Sequence, residues 1–163
     1  MKTLYLVRHA EAQYPSAVIK DRNRTLTHTG VSEAHELARR FLLLSSLPQK
    51  IFYSEAKRTI ATAEIISTLL NIPDGCCIPL PGLYEADAEK LLEMIGENSI
   101  DIESVMVVGH NPAVTDLAVH LCKGFVNVFP PSGLACISLS AACWLEVSRN
   151  CGRMNYFING RKY

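Results

Sequence analysis

Hydrophobic residues in the first part of the chain form short continuous runs separated by a segment with helical spacing. The run Leu4–Val7 predicts a fully buried strand, and residues 51–53 predict a second one. Between them, the pattern predicts a helix that follows Thr27, a residue suited to the N-cap, and that ends before Pro48. The apolar positions of this helix are Val31, Ala34, Ala38, Phe41 and Leu42.

Two further elements follow the strand at residues 51–53. A helix is predicted with Ser54 as its cap and Pro73 beyond its end. Its apolar positions are Ala61, Ile65, Ile66, Leu69 and Leu70. Residues 76–80 predict a third strand, which Pro79 either places at a sheet edge or makes very short. Residues 86–96 predict a third helix.

The second part of the chain continues the alternation of strands and helices. Residues 105–108 predict a strongly buried strand, and a helix to about Leu121 follows, with Asn111 as its cap and Pro112 at its first position. Residues 134–147 predict a closing hairpin, and the residues after 149 either complete it or pack as a tail. This order predicts an α/β sandwich with a mainly parallel sheet, as one domain over residues 1–163.

Composition narrows the classes of function. The formal net charge is +0, so we expect no bulk attraction to nucleic acid or to a membrane, and anion recognition depends on locally placed cations. The six cysteines have neither a Cys-x-x-Cys pair nor zinc-site spacing, which favours reduced thiols. No apolar run reaches the length of a signal-peptide core or a membrane span, so we expect a cytoplasmic protein.

Charged side chains follow the two most convincing buried strands. Arg8 and His9 come after the first strand, and His110 comes after the strand at residues 105–108. Ligands of parallel α/β sheets bind beyond the carboxyl ends of the strands, and His110 also precedes a predicted helix N-terminus. Arg58 lies in a first helical turn, where the dipole disfavours a cation unless an anion binds nearby. These positions predict an anion site, provided that the two strands are neighbours.

Segments in this chain resemble, in order, the motifs of the histidine phosphatase superfamily. They are the signature strand LVRHAE at 6–11 with Ala10 in place of Gly, LTHTG at 26–30, the second-arginine motif at 54–63, LYE at 83–85 and the second-histidine motif VVGHN at 107–111. The resemblance implies a phosphoglycerate mutase-like three-layer sandwich with a mainly parallel central sheet. The chain has no room for a cap domain, which makes it most similar to the SixA group of small phosphohistidine phosphatases.

The resemblance also implies roles for the clustered residues. His9 would attack phosphorus in line, and water would then hydrolyse the phosphohistidine intermediate. Arg8, Arg58 and a protonated His110 would bind the phosphoryl oxygens, with Asn111 beside them.

The general acid and the substrate contacts are less defined by the motifs. Glu85 fits the L-x-E segment as the acid that protonates the leaving group, and Asp87 is the alternative. Arg24 contacts substrate or only keeps its loop soluble. The site needs no metal and no cofactor, because arginines and histidines would offset the charge of the phosphoryl group.

The sequence therefore predicts a metal-independent hydrolase. The expected substrate is phosphohistidine in a signalling protein, such as a histidine phosphotransfer domain. The same chemistry on small phosphoesters is the second hypothesis. A module that binds phosphorylated partners without catalysis is the third, and the presence of every expected catalytic residue type disfavours it.

Overall fold

The computed structural model describes residues 1–44 and 46–161. Its strands are β1 (Lys2–Arg8), β2 (Lys50–Tyr53), β3 (Cys77–Pro79), β4 (Ser104–Gly109), β5 (Gly133–Leu139) and β6 (Gly152–Asn159). Its α-helices are α1 (His28–Leu44), α2 (Lys57–Leu69), α3 (Ala88–Asn98) and α4 (Ala113–Leu121). Short 3₁₀ turns cover Asp21–Asn23, Leu83–Glu85 and Trp144–Glu146.

The strands form one mixed sheet in the order β3-β2-β4-β1-β5-β6. β3, β2, β4 and β1 run parallel to one another, whereas β5 and β6 are antiparallel to their neighbours. The predicted α/β fold with a mainly parallel sheet is confirmed, as is the edge position of β3. No part of the described chain forms a cap domain.

Both faces of the sheet are covered, because side chains of the buried strands alternate between two cores. Leu4 and Leu6 belong to the core that contains residues of α3 and α4, and Tyr5 and Val7 belong to the core with α1 and α2. A strand buried on both faces reads as a continuous apolar run, which is why β1 was recognisable in the sequence. The result is three layers, with helices on either side of the sheet.

Helix α1 has its predicted cap but not its whole predicted apolar face. The Thr27 hydroxyl accepts a hydrogen bond from the Gly30 N–H at 3.0 Å, as expected of an N-cap. Val31 and Leu42 are exposed, although the spacing assigned them to the core. The buried stripe is rotated from the predicted one and includes Gly30, Glu33, Ala34, Leu37, Ala38 and Phe41.

The predicted caps of α2 and α4 are wrong. α2 begins at Lys57 after Ala56, so Ser54 lies outside the helix and its hydroxyl contacts other side chains. α4 begins at Ala113, and Pro112, after a cis peptide bond, occupies the position before it. The Asn111 side chain does not cap α4 because it contacts Thr115 and the Phe129 carbonyl.

The predicted hairpin over residues 134–147 is wrong in its second strand. β5 pairs with β6, so the residues after 149 complete the hairpin, which is one of the two alternatives that the sequence left open. The apolar run near Trp144 forms a 3₁₀ turn instead of a strand. Trp144 is buried beside α3, and its indole N–H donates to the Ile102 carbonyl at 2.6 Å.

Gly30 lets the first turn of α1 pack directly on the backbone after His9. A Cβ at this position would lie 1.9 Å from the Glu11 carbonyl oxygen, a backbone atom, so the backbone would have to shift. We expect Gly30→Ala to lower the free energy of unfolding by about 1–3 kcal/mol, as overpacked sites do. Ser32→Ala, at an exposed position of the same helix, is the control and should change it by less than about 0.5 kcal/mol. Chemical denaturation of both variants measures the difference, and equal stabilities would contradict this packing.

Candidate active site

The two histidines meet because β1 and β4 are neighbouring parallel strands. Arg8 pairs with Gly109 in the register, so the next residues, His9 and His110, leave the sheet side by side at its carboxyl edge. Their ring centroids are 5.4 Å apart. The condition on which the predicted site depended, adjacency of the two strands, is therefore met.

His9 is held by backbone contacts on both sides. Its N–H donates to the Gly109 carbonyl at 3.1 Å, and the following Ala10 N–H donates to the Thr62 hydroxyl of α2 at 3.0 Å. The His9 Nδ1 lies 2.7 Å from the Ala10 carbonyl oxygen, which can only accept, so Nδ1 carries the proton. The other ring nitrogen, Nε2, accepts a hydrogen bond from Arg58 Nε at 3.2 Å.

This environment keeps the His9 ring neutral. Burial lowers the pKa of His9 to about 3, and the nearby His110, Arg58 and Arg8 act in the same direction. The hydrogen bond to Ala10 opposes that shift without cancelling it. At neutral pH the Nε2 lone pair is thus available for attack on an electrophile.

A chain of hydroxyl groups orients His110. Its Nε2 contacts the hydroxyl of the fully buried Ser54, and that hydroxyl lies 2.7 Å from Thr59 Oγ1. Thr59 can donate to the Ala56 carbonyl at 2.8 Å, so every group is satisfied when Nε2–H donates to Ser54. The His110 Nδ1 then accepts from Arg58 Nη2 at 3.3 Å. Burial, and then the charge of Arg58, lowers the pKa of His110 to about 4.

Arg58 lies between the two histidines and a residue that the sequence did not single out. The side chain is buried, and its Nε and Nη2 atoms face His9 and His110. On its other edge, Nη1 donates to the Asp21 carbonyl at 2.7 Å and Nη2 donates to Asp21 Oδ2 at 2.9 Å. Asp21 belongs to a polar, irregular loop, and no pattern in the sequence distinguishes it from the surface residues around it.

Arg8 is anchored by the backbone carbonyl of Phe129. Its Nη1 donates to the Phe129 carbonyl at 2.8 Å, and Asn111 Nδ2 donates to the same oxygen at 3.0 Å. The Arg8 Nε is buried and has no hydrogen-bond partner within residues 1–44 and 46–161. The Asn111 carbonyl oxygen accepts from Thr115, so both ends of this amide are engaged with protein, and phosphate binding by Asn111 stays a prediction.

The candidate general acids lie on the wall of a neighbouring cavity of about 270 Å³. Glu85, Asp87, Asp116 and His110 are among its lining residues. The Glu85 carboxylate is exposed and contacts Arg22 at 3.3 Å, whereas Asp87 caps α3 by accepting from the Lys90 N–H. The choice between the two as acid therefore stays a prediction.

Arg24 has protein partners at all three of its nitrogens. Its Nε and Nη2 contact Asp21 Oδ1 at 2.9 and 2.8 Å, and its Nη1 donates to the Gln13 carbonyl at 2.7 Å. The hypothesis that Arg24 contacts substrate stays a prediction, and the contacts with Asp21 give this arginine a structural role in its loop.

Three further findings concern metal ligands, membrane-spanning helices and cysteines. In the described part of the chain, no three His, Cys, Asp or Glu side chains are grouped so as to hold a metal ion. Within the same residues, no helix combines the length and apolar character needed to cross a membrane. Its cysteines are all free thiols.

Residues 4–103 match the histidine phosphatase superfamily (branch 1). The chain belongs to this superfamily. An uncharacterised chloroplastic protein of Arabidopsis thaliana is 30% identical over 135 residues, which are 78% of this chain and 62% of the relative. The chain thus spans less than two thirds of that relative's length. An uncharacterised Mycobacterium tuberculosis protein is 27% identical over 158 residues, 91% of this chain and 96% of the relative.

Solved structures of several phosphatases have the same fold. The protein assigned as phosphohistidine phosphatase SixA from Agrobacterium tumefaciens has a TM-score of 0.78 and 26% identity, covering 96% of this chain and 97% of that one. The protein histidine phosphatase SixA complexed with tungstate has a TM-score of 0.81 at 24% identity, covering 97% of each chain. A mycobacterial glucosyl-3-phosphoglycerate phosphatase has a TM-score of 0.67 at 15% identity, covering 94% of this chain and 97% of that one.

The two neutral histidines predict how stability depends on pH. Their pKa values in the folded state, about 3 and about 4, lie below the ordinary value of about 6.5. At pH values between the folded and the ordinary pKa, the unfolded chain therefore binds more protons than the folded protein. The stability of the fold should therefore fall as the pH is lowered from 7 to 5. His110→Gln should make the loss shallower, because this residue then no longer titrates in the unfolded chain. Urea denaturation at several pH values measures both, and a wild-type stability that rises on acidification would contradict the assignment.

Proposed function

We propose that this histidine phosphatase hydrolyses phosphohistidine in a signalling protein, through a phosphohistidine intermediate on His9. The observation that carries the proposal is the state of the His9 ring. Its Nδ1–H is committed to the Ala10 carbonyl, and its neutral Nε2 faces the Nε–H of Arg58. A nucleophile needs such an unprotonated nitrogen, and a phosphoryl group needs cationic donors beside it.

The surrounding cations suit a phosphoryl group. Arg58 directs two N–H groups toward the histidine nitrogens, and a tetrahedral anion between the rings would accept both. The buried Nε–H of Arg8 has no acceptor among the described residues, and an oxygen of the bound group would supply one. A dianion there also favours protonation of His110, since a neighbouring negative charge raises a histidine pKa. His110 Nδ1 would then become a donor, and the cluster would stabilise the transition state without a metal.

The proposed reaction has two steps. In the first, His9 Nε2 forms a bond to phosphorus while the phosphorus bond to the substrate imidazole breaks, and a proton reaches the departing nitrogen. In the second, water attacks phosphorus, His9 leaves, and inorganic phosphate is released. The Nδ1–H contact with Ala10 persists through both steps, so the ring returns to the same tautomer for the next cycle.

The surroundings of the leaving group favour a substrate in which imidazole, and not an alcohol, departs from phosphorus. An alkoxide needs a well-placed acid, whereas a protonated imidazole departs readily as a neutral base. The carboxylate of the candidate acid Glu85 is exposed and paired with Arg22. These contacts do not hold it beside the phosphoryl site. The cavity next to His110 also carries the carboxylates of Glu85, Asp87 and Asp116, which attract a cationic group more than an anionic sugar phosphate.

Hydrolysis of small phosphomonoesters is the second candidate function. The observation that favours it is the shared fold with a glucosyl-3-phosphoglycerate phosphatase, at a TM-score of 0.67. Both candidates use His9 in the same way and differ only in the group that leaves.

The test compares substrates and one variant. The purified protein is given a histidine phosphotransfer domain phosphorylated on histidine and a panel of small phosphomonoesters, and phosphate release is measured. We expect the phosphoprotein to have the larger kcat/KM, and we expect His9→Ala to lower that value by about 10³-fold or more, as loss of a nucleophile does. His35→Ala, a histidine on α1 whose Nδ1 contacts its own helix, is the matched control and should retain activity.

Three other results would lead to different conclusions. Turnover of small esters with the phosphoprotein untouched would replace the first candidate by the second. Tight binding of the phosphoprotein without any phosphate release would favour a non-catalytic module. Activity that survives His9→Ala would contradict the proposed nucleophile.

A further inference from the structure

We infer that Asp21 is a positioning residue, which holds Arg58 by one edge so that its other edge faces the phosphoryl site. The inference rests on the proposed function for the identity of the group bound at that site. The sequence motifs do not include Asp21, and the loop that carries it has no regular strand or α-helix.

A guanidinium group has two distinct edges for pairs of acceptors. One edge presents Nε–H with an N–H of Nη2, and the other presents the N–H groups of Nη1 and Nη2. In Arg58 the Nη1–Nη2 edge is filled by Asp21, through its carbonyl at 2.7 Å and its carboxylate at 2.9 Å. The Nε–Nη2 edge points instead at His9 Nε2, at 3.2 Å, and at His110 Nδ1, at 3.3 Å.

The two nitrogens on the histidine side are those between which a phosphoryl group would bind. A phosphoryl oxygen could take over the Nε–H and Nη2–H donors while the contacts with Asp21 stay in place. Asp21 therefore need not leave when substrate binds, and its carboxylate fixes the plane of the fork. A long arginine side chain loses rotamer freedom when it binds a ligand, which costs conformational entropy. Because Asp21 already holds Arg58 in place, that cost does not arise when the phosphoryl group binds.

Asp21 is itself held by other residues, so it can act as a fixed anchor. Its Oδ1 accepts from Arg24 Nε at 2.9 Å, and its Oδ2 accepts a short hydrogen bond from the Tyr84 hydroxyl. The Tyr84 hydroxyl, and then Arg58 and Arg24, hold the pKa of Asp21 well below its usual range, so the carboxylate stays ionised. The Tyr84 ring also packs edge-on to His110, with centroids 5.2 Å apart. The anchor thus connects the loop, α2 and the second histidine.

The test is a double-mutant cycle read out by binding of inorganic phosphate and by kcat/KM. We expect Asp21→Ala to weaken phosphate binding, measured by calorimetry, and to lower kcat/KM by about 10- to 100-fold, the cost of a misplaced catalytic group. Asp21→Asn keeps an acceptor for Arg58 and should recover part of the loss. In an Arg58→Met background, Asp21→Ala should change either quantity by less than about twofold, because its effect passes through Arg58.

The controls separate this inference from the overall fold and from the proposed function. Asp101→Asn, an exposed acidic residue outside the site, should leave phosphate binding unchanged. Since Asp21 is partly exposed, its variants should fold, and thermal melting checks this. Phosphate binding needs no turnover, so the cycle still decides the role of Asp21 if the protein proves to have no phosphatase activity.

Three outcomes would overturn the inference. Unchanged phosphate affinity in a folded Asp21→Ala protein would show that Arg58 needs no anchor. Equal losses in the wild-type and Arg58→Met backgrounds would show that Asp21 acts independently of Arg58. Tighter phosphate binding in Asp21→Ala would show that the carboxylate competes with the phosphoryl group instead of orienting its receptor.

Discussion

The parallel pairing of β1 with β4 is the constraint on which the whole site depends. Its register places Arg8 opposite Gly109, and the histidines that follow these residues therefore lie beside each other. A shift of one residue would turn every side chain of β1 to the other face of the sheet. Leu4–Val7 of β1 and Val105–Val108 of β4 are buried, so the cores on either side fix that register. The stability of the sheet and the geometry of the site thus have the same origin.

Burial at the carboxyl ends of β1 and β4 also sets the protonation states of the two histidines. His9 and Arg58 are buried and His110 is half-buried beside them, and both histidines are neutral while the arginine keeps its charge. The ring nitrogens of both histidines and the donors of Arg58 have partners, whereas the Nε–H of Arg8 has none among the described residues. A phosphoryl group would supply negative charge and an acceptor for that N–H. In the free protein, Asp21 supplies part of that charge from the outer side of Arg58.

The sequence was sufficient for the parts of this arrangement that follow from strand ends and helix ends. Arg8, His9 and His110 come directly after apolar runs, and Arg58 was conspicuous because a cation is disfavoured in a first helical turn. Asp21 could not be found in this way, since an acidic residue in a polar loop is typical of any surface. The Phe129 carbonyl that anchors Arg8 carries no sequence signal at all.

Errors in the predicted elements have a similar cause. A short apolar run does not distinguish a strand from another buried segment, so the residues around Trp144 were assigned to a hairpin that β6 completes. Ser54 and Asn111 have the side chains of helix caps, but each is engaged by a tertiary partner, His110 in one case and the Phe129 loop in the other. Both side chains have the local preference of a helix cap, but their tertiary hydrogen bonds around the site take precedence over capping.

The most direct test of the account is the position of the phosphoryl group on the enzyme itself. Brief reaction with a phosphorylated substrate, followed by alkaline quench and ³¹P NMR with peptide mapping, identifies both the residue and the ring nitrogen. Because Nδ1 of His9 is committed to the Ala10 carbonyl, we predict an acid-labile phosphohistidine on His9 with phosphorus on Nε2. Phosphorus on Nδ1, or on His110, would contradict the account.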